Sequence, residues 1–569
     1  MSKTIIYQLL PRYFGNSCLR HVCNGALEEN GCGKFNDITG KALSAIRDLG
    51  VTHIWYTGVM EHATQTDYSS IGIAQDHPAV VKGKAGSPYA VKDCYDVDPD
   101  LAVDPQQRLK EFVNLLRRTH RAGMKVIIDF VPNHVARQYH SDASPALTAD
   151  FGAGDCREMA FASHNNFYYL PGRAFEPSFD RQGGAPVPYE EYPARATGND
   201  CFSASPSVND WYETVKLNYG VDYLNGRSEH FFPLPDTWSK MLAVLSYWVG
   251  LGVDGFRCDM AEMVPPAFWT WVIPQVKAVA AGGKQPRELL FIGEVYNPGL
   301  YRTYLNAGFD YLYDKVGLYD TLRQVVQGHA SAHDITLRWQ GLGEIWPHML
   351  NFLENHDEQR IASPFFAGSA VKAFPALVVS ACLRSNPFML YAGQELGEEG
   401  MYREGFSGQD GRSTIFDYWG LESLAQWNHR GRWDDAALSE DRRQVRDFYR
   451  RVLNLCQTET ALSQGAFFDL MYVNLSRAGG FDPGRQYAFL RKSDDALLLI
   501  VANFSSKEAR FHLSIPRHAF DCFGLPTDGL WQARELLSDR QASLPLYPDA
   551  LTPLTVPADG AVMWKYDLR

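Results

Sequence analysis

From Ile5 to Cys456, short runs of consecutive apolar residues alternate with longer stretches in which apolar positions recur every three to four residues. Runs of the first kind suit strands buried on both faces, and stretches of the second kind suit amphipathic helices. The predicted strands are Ile5–Leu10, Thr52–Tyr56, Lys125–Val131, Val253–Cys258, Leu289–Ile292, Asp310–Tyr313, His348–Phe352 and Pro387–Tyr391. Predicted helices lie at Ile38–Leu49, Pro105–Ala122, Trp238–Val249, Pro266–Ala280, Val316–Val326, Ala370–Leu383 and Asp441–Cys456. Eight such strands interleaved with helices over this length predict an α/β fold, a (β/α)8 TIM barrel with helices outside a parallel sheet.

The rhythm breaks twice. Residues 136–226 show no period and are rich in Gly, Pro, Asn, Asp and Tyr, too long a stretch for a plain loop, which predicts a subdomain inserted after the third strand. After about residue 461 the period becomes two, with Tyr487–Lys492, a Ser493-Asp494-Asp495 turn and Ala496–Phe504 reading as a hairpin, and Arg510–Ile515 and Val562–Tyr566 as further strands. The expected domains are therefore a barrel over 1–135 and 227–460, an insert over 136–226, and a C-terminal antiparallel β-sandwich over 461–569.

Composition adds bounds. A chain of 569 residues exceeds a single core, and 45% hydrophobic with 21% charged residues describes a folded protein. The net charge of −12, without a basic run, argues against nucleic acid as partner. No uncharged apolar run approaches a membrane span, and the N-terminal segment lacks the features of a secretory leader. Ten cysteines without a Cys-x-x-Cys pair fit a reducing, cytoplasmic location, and the spacing of Cys18, Cys23 and Cys32 fits no usual zinc pattern. The oligomeric state is not readable from the sequence.

In a barrel of this type, residues at the C-terminal strand ends face the active site. Four predicted strands end in polar groups: Asp129…Asn133-His134, Arg257-Cys258-Asp259, Gly293-Glu294, and Glu354-Asn355-His356-Asp357. Strand alternation puts Arg257 and Asp259 on one face, where the cation favours an ionised carboxylate. Taken alone this is equally a structural ion pair. Acids converging on one rim repel, so one of them should hold a proton, and a protonated carboxyl beside an ionised one is what glycoside hydrolysis requires.

These four stretches resemble, in order, the short characteristic regions of the α-amylase superfamily, glycoside hydrolase family 13. Tyr7–Arg12, Tyr89-Ala90-Val91-Lys92-Asp93 with Tyr95–Pro99, and Ala392-Gly393-Gln394-Glu395 resemble further family segments, so the likeness runs from Ile5 to about Cys456. The resemblance implies a retaining mechanism on α-linked glucosides, with Asp259 as nucleophile, Glu294 as general acid/base and Asp357 as the third acid, which binds sugar hydroxyls. It implies that Arg257 orients Asp259, that His134 and His356 bind the sugar at the cleaved bond, and that Tyr89 stacks on its ring. Asp129 reads as a structural acid. Asn133 matches a calcium-binding asparagine of the family, with Asp150, Asp155, Asp200 and Asp222 as further oxygen donors, so a structural calcium is a candidate; no cofactor is required for the chemistry.

Two departures stand out. Three and four residues after the nucleophile the family commonly carries Lys-His, whereas this chain has Glu262 and Met263. After Tyr89 stands Ala90, where family members that trim single glucose units often carry Asp, which leans toward chain-internal cleavage. The expected activity is hydrolysis of α-1,4-glucosidic bonds in starch-like glucans or maltodextrins. A 4-α-glucanotransferase and a cyclomaltodextrinase- or neopullulanase-type enzyme are alternatives on the same residues, and a non-catalytic sugar-binding barrel is a remote one. Phe167, Tyr168, Tyr169, Trp211, Tyr212 and Tyr219 are candidates to line a sugar groove, with most of them expected in the core.

Overall fold

The computed structural model describes residues 3–145, 148–283, 286–477, 479–527 and 530–568; the outermost ends of the expected first and last domains, residues 1–2 and 569, lie outside these. Eight strands close into a barrel: β1 (Ile5–Leu9), β2 (His53–Tyr56), β3 (Lys125–Phe130), β4 (Gly255–Cys258), β5 (Leu290–Gly293), β6 (Tyr311–Tyr313), β7 (Met349–Phe352) and β8 (Phe388–Tyr391). Each pairs in parallel with its sequence neighbour, and β1 meets β8 with Ile5 opposite Phe388. Every strand falls within two residues of an apolar run, because helices cover the sheet outside and side chains fill it inside. All five residues of β1 are buried, including the polar Gln8.

Three predicted helices start differently from the apolar pattern, one of them, Ala370–Leu383, with a 3-10 turn over Val371–Ala373 before the α-helix Phe374–Cys382. Pro105–Gln107 is a 3-10 turn, with the Asp104 side chain accepting from the Gln106 amide, and the α-helix runs Arg108–Arg121. After β6 the chain makes a π-helical turn over Lys315–Tyr319 before the α-helix Asp320–Val326. The Asp314 carboxylate sets this turn by accepting from the Leu318 amide at 2.8 Å. The helices Tyr301–Asn306, Asp334–Leu342 and Glu422–Asn428 lie outside the predicted set; they are short, and the middle one buries only Ile335 and Thr336, too little to print a stripe.

Between β3 and the helix Asp236–Leu251 the chain is irregular, with three small antiparallel pairs, among them His134–Ala136 against Thr214–Lys216. Side chains do the work of ladders here, which is why no period shows. Asp155 accepts from the amides of Asn166 and Phe167 and from the Tyr169 hydroxyl.

Beyond the barrel, six antiparallel strands form one sheet, and Ala509–Ile515 pairs with Ala550–Val556 in a second layer whose residues alternate buried and exposed along the latter strand. Arg491, on the strand Gln486–Lys492, is fully buried. Its guanidinium donates to the carbonyls of Leu383, Ala461, Leu462 and Gly465, joining this sheet to the ends of barrel helices.

Glu61 lies under the barrel rim with both carboxylate oxygens lacking a hydrogen-bond partner, and burial pushes its pKa up to about 9. Above about pH 4 the unfolded chain releases this proton while the folded chain keeps it, so the cost to stability grows with pH until the folded carboxyl itself ionises. Glu61→Gln is therefore expected to raise the thermal midpoint at pH 8 and to change it little at pH 4. Equal shifts at both pH values would contradict this account.

Candidate active site

Strand register builds the centre. Arg257 on β4 lies opposite Asp129 on β3, and Cys258 lies opposite Gly293 on β5. The next residues, Asp259 and Glu294, thus leave the sheet side by side, and their amides continue the ladder onto the carbonyls of Phe130 and Cys258. The alternation that puts Arg257 and Asp259 on one face is realised as a 2.7 Å hydrogen bond from Nη1 to Oδ1.

The guanidinium is shared more widely than the sequence implies. Its Nη2 lies 2.8 Å from Glu294 Oε1, Nη1 lies 3.6 Å from Asp129 Oδ1, and Nε donates to the Tyr313 hydroxyl. The group is boxed by the rings of Trp55, Tyr89 and Tyr313. One cation thus faces three buried carboxylates. Burial raises the pKa of Asp129 to about 6 against the pull of Arg257. Burial also drives Asp259 upward, opposed by Arg257 and reinforced by the charge of Glu294.

Glu294 is held on both oxygens. Oε2 accepts from the Met260 amide at 2.7 Å, and Oε1 accepts from the Tyr296 hydroxyl at 2.6 Å. Met260 sits at φ 42°, a left-handed conformation costly for a side chain of this size, and that twist is what turns its N–H toward the acid.

The histidines are neutral. Burial lowers both His134 and His356 to about 3, with Lys216 and Lys82 adding to the effect at His134 and Arg257 at His356. Gln8 Nε2 donates to His356 Nδ1 at 2.8 Å, which leaves the proton on Nε2, facing the Tyr89 oxygen at 2.6 Å and Asp357 Oδ2 at 3.3 Å. Tyr89 stacks on the His356 ring and donates to Asp129. Asp357 is 45% exposed at the mouth, free to accept from a sugar.

Tyr89, His134, Asp259, Glu294, His356 and Asp357 line one cavity of about 510 Å³, while Arg257 and Asp129 do not reach its surface; the lining also includes residues the strand-end reading does not name, among them Tyr296, Lys315, Val316, Glu358, Lys82 and Phe416. Tyr296, Lys315 and Glu358 lie in the loops that follow predicted strands, within reach of the same argument as Glu294. Lys82 and Phe416 come from irregular loops that carry no such signal. Ala90 is buried and does not line the cavity. Of the six insert aromatics only Trp211 lines it, beside His134; the other five are buried in the insert.

Asn133 is fully engaged. Its side-chain oxygen accepts from the Lys216 ammonium at 2.7 Å and its amide donates to the Gly198 carbonyl. Lys216 is itself buried and paired with Asp200 at 2.5 Å. Asp150 pairs with His140, and Asp222 accepts from the Leu224 amide. Among the described residues no group of three or more His, Cys, Asp or Glu is arranged to hold a metal ion. The residues at Asn133 therefore fit an ammonium and do not fit a calcium ion.

The family model "Alpha amylase, catalytic domain" matches residues 8–451. Alpha-amylase 3 of Dictyoglomus thermophilum is 23% identical over 444 residues, covering 75% of this chain and 76% of that protein. A cyclomaltodextrinase of a Bacillus species is 22% identical over 514 residues, covering 88% and 72%. The crystal structure of a noncanonic maltogenic alpha-amylase AmyB from Thermotoga neapolitana superposes with a TM-score of 0.62 at 18% identity over 100% of this chain and 99% of that one. Among the described residues no helix is long and apolar enough to cross a membrane.

Proposed function

The chain belongs to the α-amylase family of glycoside hydrolases, and from that premise we propose that it hydrolyses α-1,4-glucosidic bonds of maltodextrins or starch-like glucans with retention at the anomeric carbon. The observation that carries this reading is the pair Asp259 and Glu294 on the two terminal nitrogens of one buried Arg257, at the floor of the cavity. In the proposed mechanism Glu294 gives its proton to the glycosidic oxygen as Asp259 attacks the anomeric carbon, forming a glycosyl ester. Water, deprotonated by Glu294, then opens the ester. The two carboxyl groups need a separation of about 5–5.5 Å for this course, and sharing one guanidinium holds them close. Neutral His134 can donate to a sugar hydroxyl, and neutral His356, whose N–H is engaged by Tyr89, adds no positive charge beside the developing cation, while Asp357 accepts from the ring's other hydroxyls.

Two measurements test this: the anomer first released from maltotetraose, expected to be α, and the products from amylose, pullulan and a cyclic dextrin. Release of the β anomer would overturn the mechanism. A second reading, cleavage of cyclic dextrins in preference to starch, is supported by the cyclomaltodextrinase relative, whose likeness spans most of the chain, and faster turnover of the cyclic dextrin than of amylose would select it. Transfer to an added labelled sugar in excess of release to water would favour a glucanotransferase.

We also propose that Lys216 supplies the charge a structural calcium would bring. Activity and thermal midpoint are then expected to be unchanged by a chelator, whereas Lys216→Met, which leaves Asp200 and Asn133 without their buried donor, should cost about 3 kcal/mol. A chelator-induced drop in the midpoint, reversed by calcium, would refute this.

A further inference from the structure

We propose that Lys315 is the cation that binds the departing sugar, taking over a task the nucleophile loop does not perform in this chain. The inference rests on the hydrolase reading above and specifies its acceptor side.

The side follows from the chemistry. Glu294 protonates the bond's oxygen, so the leaving sugar lies on the Glu294 side of Asp259, away from Tyr89 and His134. Going round the rim from Glu294, the next groups facing the cavity are Tyr296, then Lys315 and Val316 at the end of β6, then Glu358 after β7. A polar sugar leaving group needs donors and acceptors there.

No cation comes from the loop after Asp259. The third position beyond it is Glu262, whose Oε2 accepts from the amides of Tyr296 at 3.1 Å and Asn297 at 3.0 Å. That carboxylate braces the loop bearing Tyr296 and is spent on it.

Lys315 has the missing charge and the freedom to use it. Its ammonium lies 3.1 Å from Asp320 and 3.4 Å from Glu358 Oε1, and its side chain is 24% exposed. An ammonium has three donors, so these two carboxylates leave one for a ligand. Glu358 is in turn fixed by the Tyr319 hydroxyl and by Arg323, so donor and acceptor stand together on one wall, a pairing suited to neighbouring hydroxyls of a glucose ring. Val316 beside them is 39% exposed and offers an apolar surface to the ring face. The π turn is what presents both residues, and turns of this kind recur at functional sites because the wider coil re-aims side chains.

The test compares leaving groups. For Lys315→Met, kcat/KM on maltotetraose should fall by about tenfold more than kcat/KM on 4-nitrophenyl α-maltoside, whose released nitrophenol has no sugar hydroxyls to bind, a difference expected for one charge-assisted hydrogen bond. Lys315→Arg, which keeps the charge, should recover most of the loss, and thermal midpoints of both variants report folding. Equal effects on the two substrates in Lys315→Met, or no recovery in a folded Lys315→Arg, would overturn the assignment. A wild-type protein that cleaves neither substrate would instead refute the underlying glucan-hydrolase reading, and with it this one.

Discussion

Asp259→Asn is expected to lower hydrolysis of maltooligosaccharides by at least about 10⁴-fold, because the reaction then has no group able to form the glycosyl ester. The substitution keeps shape and the hydrogen bond from Arg257 Nη1, so the thermal midpoint should stay near that of the wild type or rise slightly as a buried charge is removed. Glu294→Gln should give a loss that depends on the leaving group. A sugar alkoxide needs the proton, and its departure should slow by about 10²–10⁴-fold, whereas nitrophenol leaves unaided and should be released much faster by comparison. Stopped-flow or endpoint assays on both substrate types, alongside circular dichroism, decide the matter. Wild-type-like turnover of maltotetraose by either variant would eliminate the assignments.

Arg257→Met is the substitution expected to damage stability most. It leaves Asp129, Asp259 and Glu294 buried at their present positions without the cation they share. Removing one partner from a buried ionic cluster costs about 3–5 kcal/mol. The sign of its pH dependence is fixed by linkage. Burial already holds Asp129 and Asp259 above their ordinary values against the pull of Arg257; without that pull they rise further, so the folded state keeps protons that the unfolded state releases, and the penalty grows from about pH 4 upward. Urea denaturation should therefore show a smaller loss at pH 5 than at pH 7.5. A loss independent of pH would mean that the methionine misfits sterically rather than electrostatically.

Much of this centre was open to inspection in the amino-acid order because its residues sit immediately past apolar strands. The run ending at Cys258 locates Asp259, and the run before Gly293 locates Glu294, and the barrel needs nothing more than register to bring them together. What the order of residues conceals is sharing. Arg257 reads as a partner for Asp259 because the two are neighbours in sequence, while its contact with Glu294 exists only because β4 and β5 align. Lys216 is concealed more deeply. It lies 83 positions from Asn133, on a short strand inside a region with no period. The π turn at Lys315 is invisible to a helix template of 3.6, and the apolar spacing of Val316–Val326 reads as plain α-helix.

Arg491 gives the barrel a dependency on time. Its guanidinium meets carbonyls at Leu383, Ala461, Leu462 and Gly465, and three of those four lie in or just after the short helix Thr460–Ser463, where the barrel passes into the sheet. A ribosome releases those carbonyls before it has added Arg491, and it completes the sheet that holds Arg491 only with the strand Gly560–Asp567. Until then the end of the barrel presents bare acceptors to water. The barrel is thus fastened by a residue of the C-terminal sheet, and a chain cut short at residue 465 would carry every catalytic group and still lack its latch.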